Sequence, residues 1–324
     1  MKQTLFSVIV ISIIGVILST GMSSCRKDKF QATIQQYDSI QINNYIAANG
    51  LTGFLKDPTG GDTTGMYYKI LNPGSGTPLQ YSDKIAFVYT YKTLDGSYVT
   101  SDTIANHYYD YVGHIYNNHY PLGLQIAVYN LLKYPNASMR LLIPSRLAYG
   151  RDGSGSGSSQ VANNRIAGNE SLDVYIHAIN YVPIGNATTN GFPAYDDIVI
   201  KNYAAANGLN LSTYTKTADG LYYSILTPGT STDPITTASS ITATYTGQLL
   251  NGTVFDGGYN GTNVATLSIG DLIPAVQEGL QKAVAGTKIS LLIPSSIGYG
   301  ISGTTGIPPF SCMRFTWQVI TVTP

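Results

Sequence analysis

The sequence has little charge and almost no cysteine. Charged side chains make up 11% of its 324 residues, whereas ordinary globular proteins carry about 25%. The 18 basic residues balance 18 acidic ones, so the chain lacks the basic excess or basic stripe of a nucleic-acid-binding protein. We therefore exclude nucleic acid as a partner.

What the sequence does contain indicates folded β-structure. Disordered chains lack aromatic and β-branched residues, but this one has 26 Tyr and 8 Phe among many Ile, Val and Thr residues. Its 34 Gly and 15 Pro are typical of the turns that join strands. A chain of 324 residues is expected to form two domains.

The N-terminus resembles a bacterial lipoprotein signal. An apolar run from Leu5 to Leu18 is too short to span a membrane and fits a secretory signal. Met22-Ser23-Ser24-Cys25 follows, with Met22 where such signals usually have Leu. We expect residues 1–25 to be the signal, Cys25 to be lipidated, and the protein to be an outer-membrane lipoprotein facing the periplasm or the cell surface. The alternative is an ordinary cleaved signal in which Cys25 is incidental.

The single remaining thiol and the missing motifs exclude several kinds of catalytic site. A lipidated Cys25 leaves Cys312 alone, so no disulfide within the chain can form. Cys312 alternates with apolar neighbours, and we interpret it as a small core residue rather than a nucleophile. A dinucleotide fingerprint, a phosphate loop and a Gly-x-Ser-x-Gly elbow are all missing from the sequence, and we expect no cofactor.

An internal repeat organises the rest of the chain. Segment 40–50 (IQINNYIAANG) recurs at 198–208 (IVIKNYAAANG), 65–74 (GMYYKILNPG) at 220–229 (GLYYSILTPG), and 141–150 (LLIPSRLAYG) at 291–300 (LLIPSSIGYG). Two long copies are typical of two domains, whereas a solenoid shows several shorter periods. We place the first copy at 61–183 and the second copy at 219–324. A tether (26–60) and a linker (184–218) precede them, each with one short helix.

Hydrophobic periodicity predicts an α+β fold. Ile241, Ala243 and Tyr245 alternate with Thr residues, as in a half-buried strand. Two more runs, 288–293 and 315–320, are rich in the residues that strands favour. Between these strands, apolar residues recur every four positions from Leu272 to Val284, which predicts one amphipathic helix. One helix among antiparallel strands is an α+β arrangement.

Six separated motifs follow one another in the second copy. They are Tyr245-Thr246-Gly247, Asn251 to Asp256 (NGTVFD), Leu272-Ile273-Pro274 with Glu278-Gly279-Leu280, Ile293-Pro294 to Tyr299-Gly300, Ile307-Pro308-Pro309, and Phe315. In this order and spacing the second copy resembles the FKBP-type peptidyl-prolyl cis-trans isomerases. The resemblance implies two FKBP-like domains, each a curved antiparallel β-sheet wrapped over a short helix, with an apolar pocket between sheet and helix in the second.

The resemblance also implies the residues of the site. Carried over position by position, the pocket would be lined by Tyr245, Phe255, Asp256, Ile273, Val276, Tyr299, Ile307 and Phe315. The Tyr299 hydroxyl and the Ile273 N–H would donate hydrogen bonds to ligand carbonyls. Phe255 and Phe315 would hold the proline ring, and Asp256 would orient polar groups at the rim. Val276 departs from the family, which usually has Trp as the pocket floor, so we expect a weak grip on the ring.

The first copy has lost most of these residues. Tyr89-Thr90-Tyr91 replaces Tyr-Thr-Gly, Val99-Thr100 replaces Phe-Asp, Ile166-Ala167-Gly168 replaces Ile-Pro-Pro, and Val174 replaces the last Phe, while Tyr149 is retained. Gly123 and Ile126 align with Ile273 and Val276. We expect a degenerate FKBP-like domain without the isomerase site, which leaves partner binding, substrate holding or dimerisation as its role.

All four His residues lie in the first copy, three of them between His107 and Tyr120. Their spacing matches no compact metal-ligand pattern. We interpret this Tyr-, His- and Asn-rich stretch as an inserted recognition loop.

The sequence thus predicts a peptidyl-prolyl cis-trans isomerase that acts on proline-containing polypeptides and helps proteins fold outside the cytoplasm. The alternative is a non-catalytic binding or chaperone module with the same fold. Val276 and the altered first copy favour that alternative, whereas the aromatic residues of the second copy argue against it. A structural or adhesive surface protein is a third hypothesis, which rests only on low charge and high Tyr content.

Overall fold

The computed structural model of the protein describes residues 32–59, 63–179, 192–257 and 264–324. The predicted signal and Cys25 lie outside these residues. By compactness the chain divides into two units, Met1–Tyr37 and Asp38–Pro324. Within the described ranges, every helix is too short or too polar to cross a membrane.

Two antiparallel sheets of seven strands form the body of the protein. The strands of the first are β1 (Leu55–Lys56), β2 (Tyr67–Asn72), β3 (Lys84–Thr93), β4 (Val99–Thr100), β5 (His107–Tyr111), β6 (Ser138–Ile143) and β7 (Leu172–Ile179). Those of the second are β8 (Thr215–Lys216), β9 (Tyr222–Thr227), β10 (Ser240–Leu249), β11 (Val254–Asp256), β12 (Ala265–Ser268), β13 (Lys288–Ile293) and β14 (Met313–Thr323).

The two sheets have the same topology. The first runs β1-β2-β6-β7-β3-β4 with β5 also paired to β3, and the second runs β8-β9-β13-β14-β10-β11 with β12 also paired to β10. Each strand of one copy therefore has a counterpart in the other. The prediction of an α+β fold with two similar antiparallel sheets is confirmed.

Four α-helices accompany the strands in the described part of the chain. They are α1 (Ile34–Ala48), α2 (Leu122–Ala127), α3 (Pro193–Ala206) and α4 (Pro274–Leu280). The helix predicted from Leu272 to Val284 is shorter than its apolar repeat, because it starts at Pro274 and its C-cap is Gln281. Pro suits the first helical position, where a missing N–H costs nothing. The strand 288–293 is confirmed at its predicted bounds, and the last strand is longer than the predicted 315–320.

Helices α1 and α3 each bring one carboxylate into the protein interior. Asp38 of α1 accepts a hydrogen bond from Arg146 Nη1 at 3.1 Å, and Asp196 of α3 accepts bonds from Ser295 N at 2.9 Å and Ser295 Oγ at 2.8 Å. Each carboxylate thus contacts the turn that follows the corresponding strand of its copy, β6 or β13. The two connecting helices are anchored at the same place, to a charged partner in one copy and to neutral ones in the other.

The prediction of an inserted recognition loop is wrong for residues 107–114. Residues 107–111 form β5, which pairs with β3 so that Tyr108 lies opposite Phe87. The rings of these two residues stack with centroids 4.5 Å apart, and Val112 and Ile115 are also buried. Residues 107–114 are the counterparts of β12 and of the short helical turn 269–271, whereas the connection 115–121 before α2 is longer than the connection 272–273 before α4. Although most residues of this stretch are polar, Tyr108 points into the core and is buried.

Candidate functional site

Strand register brings the predicted aromatic residues of the second copy together. Tyr245 lies opposite Trp317 and Gly247 lies opposite Phe315 across the β10–β14 pair, so all four residues share one face of the sheet. Phe255 of β11 meets Phe315 edge to face with ring centroids 5.7 Å apart. We call Tyr245, Phe255, Phe315 and Trp317 the aromatic cluster.

Gly247 makes room for the cluster. A β-carbon there would lie 2.5 Å from Phe315 Cε1 and 3.0 Å from Phe255 Cε2, distances that side chains do not tolerate. The glycine in the Tyr-Thr-Gly motif is therefore a packing requirement of two large rings on neighbouring strands.

Helix α4 and two loops surround the cluster. Val276 is 2% exposed and Ile307 is 4% exposed, both within the same hydrophobic core as Phe315. Ile273 and Tyr299 are half-buried and pack against that core. Ile273 caps α4 with extended backbone, and among the described residues its N–H has no hydrogen-bond acceptor. An apolar base is thus combined with a backbone donor at its edge.

Two hydroxyl groups and one carboxylate lie at the rim. The Tyr245 hydroxyl donates to Asp256 Oδ1 at 3.1 Å, and Asp256 is exposed. Burial, and then the nearby Asp256 charge, raise the pKa of Tyr245 to about 12. The same two causes raise the pKa of Tyr299. Both hydroxyls therefore stay protonated at neutral pH; that of Tyr245 donates to Asp256, and that of Tyr299 can donate to a ligand.

Sequence reasoning missed Trp317. Its indole stacks on Tyr245 with centroids 4.2 Å apart and on Phe315 at 6.0 Å. It is buried, and its Nε1 has no hydrogen-bond partner among the described residues. Trp317 is the only Trp of the chain and lies two residues after Phe315, hence on the same face. That spacing was the available signal.

Tyrosines occupy the equivalent space in the first copy. Tyr89 and Tyr91 lie opposite Ile176 and Val174, so Tyr91 is the counterpart of Gly247. Its ring stacks on Tyr89 at 5.4 Å, and its hydroxyl lies 3.4 Å from that of Tyr149. The smaller Val residues at the Phe positions allow this ring to fill the face. Burial raises the pKa of Tyr91 and Tyr149.

The alignment of the first helix is corrected by the structure. Helix α2 begins one residue after Pro121, as α4 begins one residue after Ile273. Pro121 and Leu124, rather than Gly123 and Ile126, therefore correspond to Ile273 and Val276. The sequence alignment was two residues off because Pro and Ile share no side-chain feature. Since proline has no N–H, the first copy lacks the backbone donor that Ile273 provides.

The remaining candidates lie apart from the cluster. Cys312 is buried against α3, whereas a nucleophile would need to be accessible. Burial raises the pKa of its thiol well above the usual range, which agrees with the core-residue prediction. Within the described ranges, His, Cys, Asp and Glu nowhere form a group of three that could hold a metal ion.

Fold and site together define an antiparallel sheet that carries an aromatic, partly open cluster with hydrogen-bond donors at its edge. Residues 232–320 match the family model of the FKBP-type peptidyl-prolyl cis-trans isomerase. The matched residues lie within the second copy, which is similar to this family.

Curated relatives of the second copy are named as peptidyl-prolyl cis-trans isomerases. The chain is 34% identical over 125 residues to the FKBP-type peptidyl-prolyl cis-trans isomerase FkpA of Buchnera aphidicola subsp. Schizaphis graminum, a match that covers 39% of this chain and 48% of that protein. It is 32% identical to FkpA of Escherichia coli K12 over 32% of this chain and 38% of that one. It is 34% identical to peptidyl-prolyl cis-trans isomerase Mip of Coxiella burnetii over 32% and 46%. The chain spans about half or less of these relatives.

A solved structure of FkpA from Escherichia coli superposes with a TM-score of 0.36 at 28% identity, covering 41% of this chain and 61% of that one. So low a score does not establish a shared fold, which rests here on the strand order of the two sheets.

Proposed function

We propose that the second copy catalyses cis-trans isomerisation of X-Pro bonds in polypeptides and so assists their folding. The observation that carries the proposal is the aromatic cluster, an apolar face with a free N–H and two protonated hydroxyls at its edge. Tyr245, Phe255, Asp256, Ile273, Val276, Tyr299, Ile307 and Phe315 form the proposed site, together with Trp317.

The chemistry needs no acid, base or nucleophile. Rotation about a peptide bond is slow because amide resonance must be lost, at a barrier of about 18–20 kcal/mol. An apolar surrounding disfavours the charge-separated resonance form of the bound amide, which lowers the cost of twisting it. The Ile273 N–H and the Tyr299 hydroxyl lower it further if they bind the carbonyls better in the twisted state than in the planar one. Each 1.4 kcal/mol or so removed from the barrier speeds exchange about tenfold.

The test is catalysis of X-Pro exchange in a short peptide, followed by NMR with the full chain. We expect wild type to accelerate exchange and a Phe255→Ala/Tyr299→Phe variant to lose the acceleration. The matched control is Val99→Ala/Tyr149→Phe, which changes the corresponding positions of the first copy and leaves the second copy intact. We expect the control to retain wild-type rates.

The opposite results would favour the alternative function. If wild type binds a proline peptide without accelerating its exchange, the second copy is a non-catalytic binding or chaperone module. If the first-copy control loses activity and the second-copy variant retains it, the site lies in the first copy and the proposed location is wrong.

The first copy is proposed to be non-catalytic, because Tyr91 takes the position of Gly247 and excludes the two Phe rings that pack there in the second copy. Pro121, in addition, has no N–H to serve as the backbone donor. We retain the divisions 26–60, 61–183, 184–218 and 219–324 as proposed segment bounds.

We also propose that the protein is a lipoprotein of the cell envelope, anchored through Cys25. The support is the apolar run and the small residues that precede Cys25. Lipidation gives stable anchoring when several acyl chains are attached. The test is detergent-phase partition of the full chain expressed with its N-terminus. Wild type should enter the detergent phase and Cys25→Ser should not, whereas equal partition of both would overturn the proposal.

A further inference from the structure

The loop that carries Ile307 is attached to the first copy. The carbonyl oxygen of Pro309 lies within hydrogen-bonding distance of His107 Nδ1. Since a carbonyl can only accept, Nδ1 carries the proton and donates it. The His107 ring also stacks on Phe310, with centroids 4.2 Å apart and planes 4° from parallel. Residue 107 thus holds two successive residues of the loop.

Phe310 is buried among residues of the first copy. It is 1% exposed and shares a core cluster with Ala86, Val88 and Ile179. Phe192, at the start of α3, meets it at 4.9 Å and 64°. This ring therefore anchors the second copy's loop in the first copy's sheet.

The backbone of Phe310 is strained, and the contacts of its ring offset this strain. Its φ is +43°, a left-handed conformation that is costly for a bulky side chain. The counterpart in the first copy is Asn169, with φ +62°. The N–H of each donates to a Gly carbonyl, Phe310 to Gly300 at 2.7 Å and Asn169 to Gly150 at 2.8 Å. Asn tolerates this conformation better than Phe does, so the contacts of the Phe310 ring must offset the strain.

A second attachment reaches the other side of the site. Asn251 Nδ2 donates to Asp102 Oδ2 of the first copy, while Asn251 Oδ1 accepts from Thr253 N at 2.9 Å. This turn leads directly into β11, which carries Phe255 and Asp256. The other oxygen of Asp102 accepts from Ile104 N at 2.8 Å, which fixes the carboxylate in place.

We propose that residues 102–107 of the first copy form a clamp that positions two walls of the second copy's site, the loop 307–310 and the turn 251–253. Asp102 and His107 are positioning residues that act through Asn251, Pro309 and Phe310. The first copy has therefore exchanged its own site for a supporting role. This inference rests on the proposed isomerase function.

Two variants of the full chain test the clamp. His107→Ala removes the donor and the stacked ring. Phe310→Asn copies Asn169, so it relieves the backbone strain while removing the anchor, and it is expected to fold. His107→Asn keeps a donor at a similar distance from the backbone and should restore part of the effect. His114→Ala is the control, because the His114 side chain is half-exposed and hydrogen-bonds only to Asp110 among the described residues.

Two readouts are measured on each variant, amide hydrogen exchange of residues 304–312 by mass spectrometry and kcat/KM for X-Pro exchange by NMR. Loss of a hydrogen bond and a ring stack should speed local exchange about tenfold and lower kcat/KM about three- to tenfold. Exchange in β13 should stay at the wild-type rate, which distinguishes positioning from general destabilisation.

The outcomes separate the two claims. An active wild type with loop exchange and kcat/KM unchanged in both His107→Ala and Phe310→Asn overturns the clamp but leaves the isomerase. A wild type without catalysis overturns the proposed function, while faster loop exchange in both variants would still establish the attachment. If His107→Ala unfolds, Phe310→Asn alone decides.

Discussion

At the scale of single residues, the main question is what forms the floor of the site, because Val276 stands where the family usually has Trp. The structure has a buried indole on the neighbouring strand instead, with Trp317 stacked against both Tyr245 and Phe315. Both side chains lie in one core, and we expect the indole from β14 to fill the volume that a Val on α4 leaves free.

This exchange of positions can be tested by reversing it. Trp317→Leu should lower kcat/KM about tenfold and destabilise the protein by about 2 kcal/mol, because it leaves a cavity beneath Tyr245. Val276→Trp alone should also destabilise, by overpacking. The double variant Val276→Trp/Trp317→Val should recover much of both losses. Thermal unfolding by circular dichroism and NMR exchange rates provide the measurements, and additive losses in the double variant would contradict the idea.

The Asp196 carboxylate predicts a pH dependence of stability. Burial raises its pKa to about 6, above its value in the unfolded chain, so the folded state binds the extra proton between about pH 4 and pH 6. The free energy of unfolding should therefore fall as pH rises through this window, by at most about 1.4 kcal/mol per pH unit from this one group. Asp196→Asn should flatten that slope in urea unfolding at pH 4, 5, 6 and 7. An unchanged slope would show that Asp196 is ionised throughout.

At the scale of elements, the connecting helices α1 and α3 are held by their buried carboxylates. Asp38 is 1% exposed and its Oδ1 has no partner among the described residues, so it depends on Arg146. That guanidinium also donates to the carbonyl of Thr64 at 2.6 Å. In the second copy, the buried carboxylate of Asp196 accepts hydrogen bonds from Ser295 instead, and no positively charged side chain is involved.

Removing the charged partner should therefore be costly in the first copy only. Arg146→Ala leaves a buried carboxylate unpaired and should destabilise the protein by about 3–5 kcal/mol. Asp38→Asn/Arg146→Ser, which removes both charges, should lose clearly less. Urea unfolding compares the two, and equal losses would mean that Arg146 acts through packing rather than charge.

The sequence predicts where the strands lie better than it predicts which distant residues contact one another. Alternation places β10 correctly, and the residues that strands favour place β13. The Tyr-Thr-Gly motif marks the position where two Phe rings meet. Periodicity fails at residues 107–111, where polar letters hide a buried Tyr. It also cannot show that Phe310 is buried in the other copy, because a contact between residues far apart in the chain leaves no local pattern.

At the scale of the whole molecule, the low charge noted in the sequence has a structural counterpart. Large aromatic surfaces fill much of the interior of both copies, as in the stacked rings of Phe87 and Tyr108 and of Tyr245 and Trp317. Stability should accordingly depend weakly on salt, since apolar contacts are not screened as exposed charges are.

The contact between His107 and Pro309 has a further consequence for the order of assembly, since it joins residues 202 positions apart. A chain made from its N-terminus exposes the sheet that receives Phe310 long before Phe310 exists. The sheet of the first copy can therefore be complete before the second copy is made. We expect the loop that carries Phe310 to reach its final conformation only when it packs on that sheet. During refolding, the fluorescence of the single Trp, which reports on the second copy alone, should reach its final value in a late phase. Phe310→Asn should abolish that phase, and the same time course in both proteins would show that the two sheets mature independently.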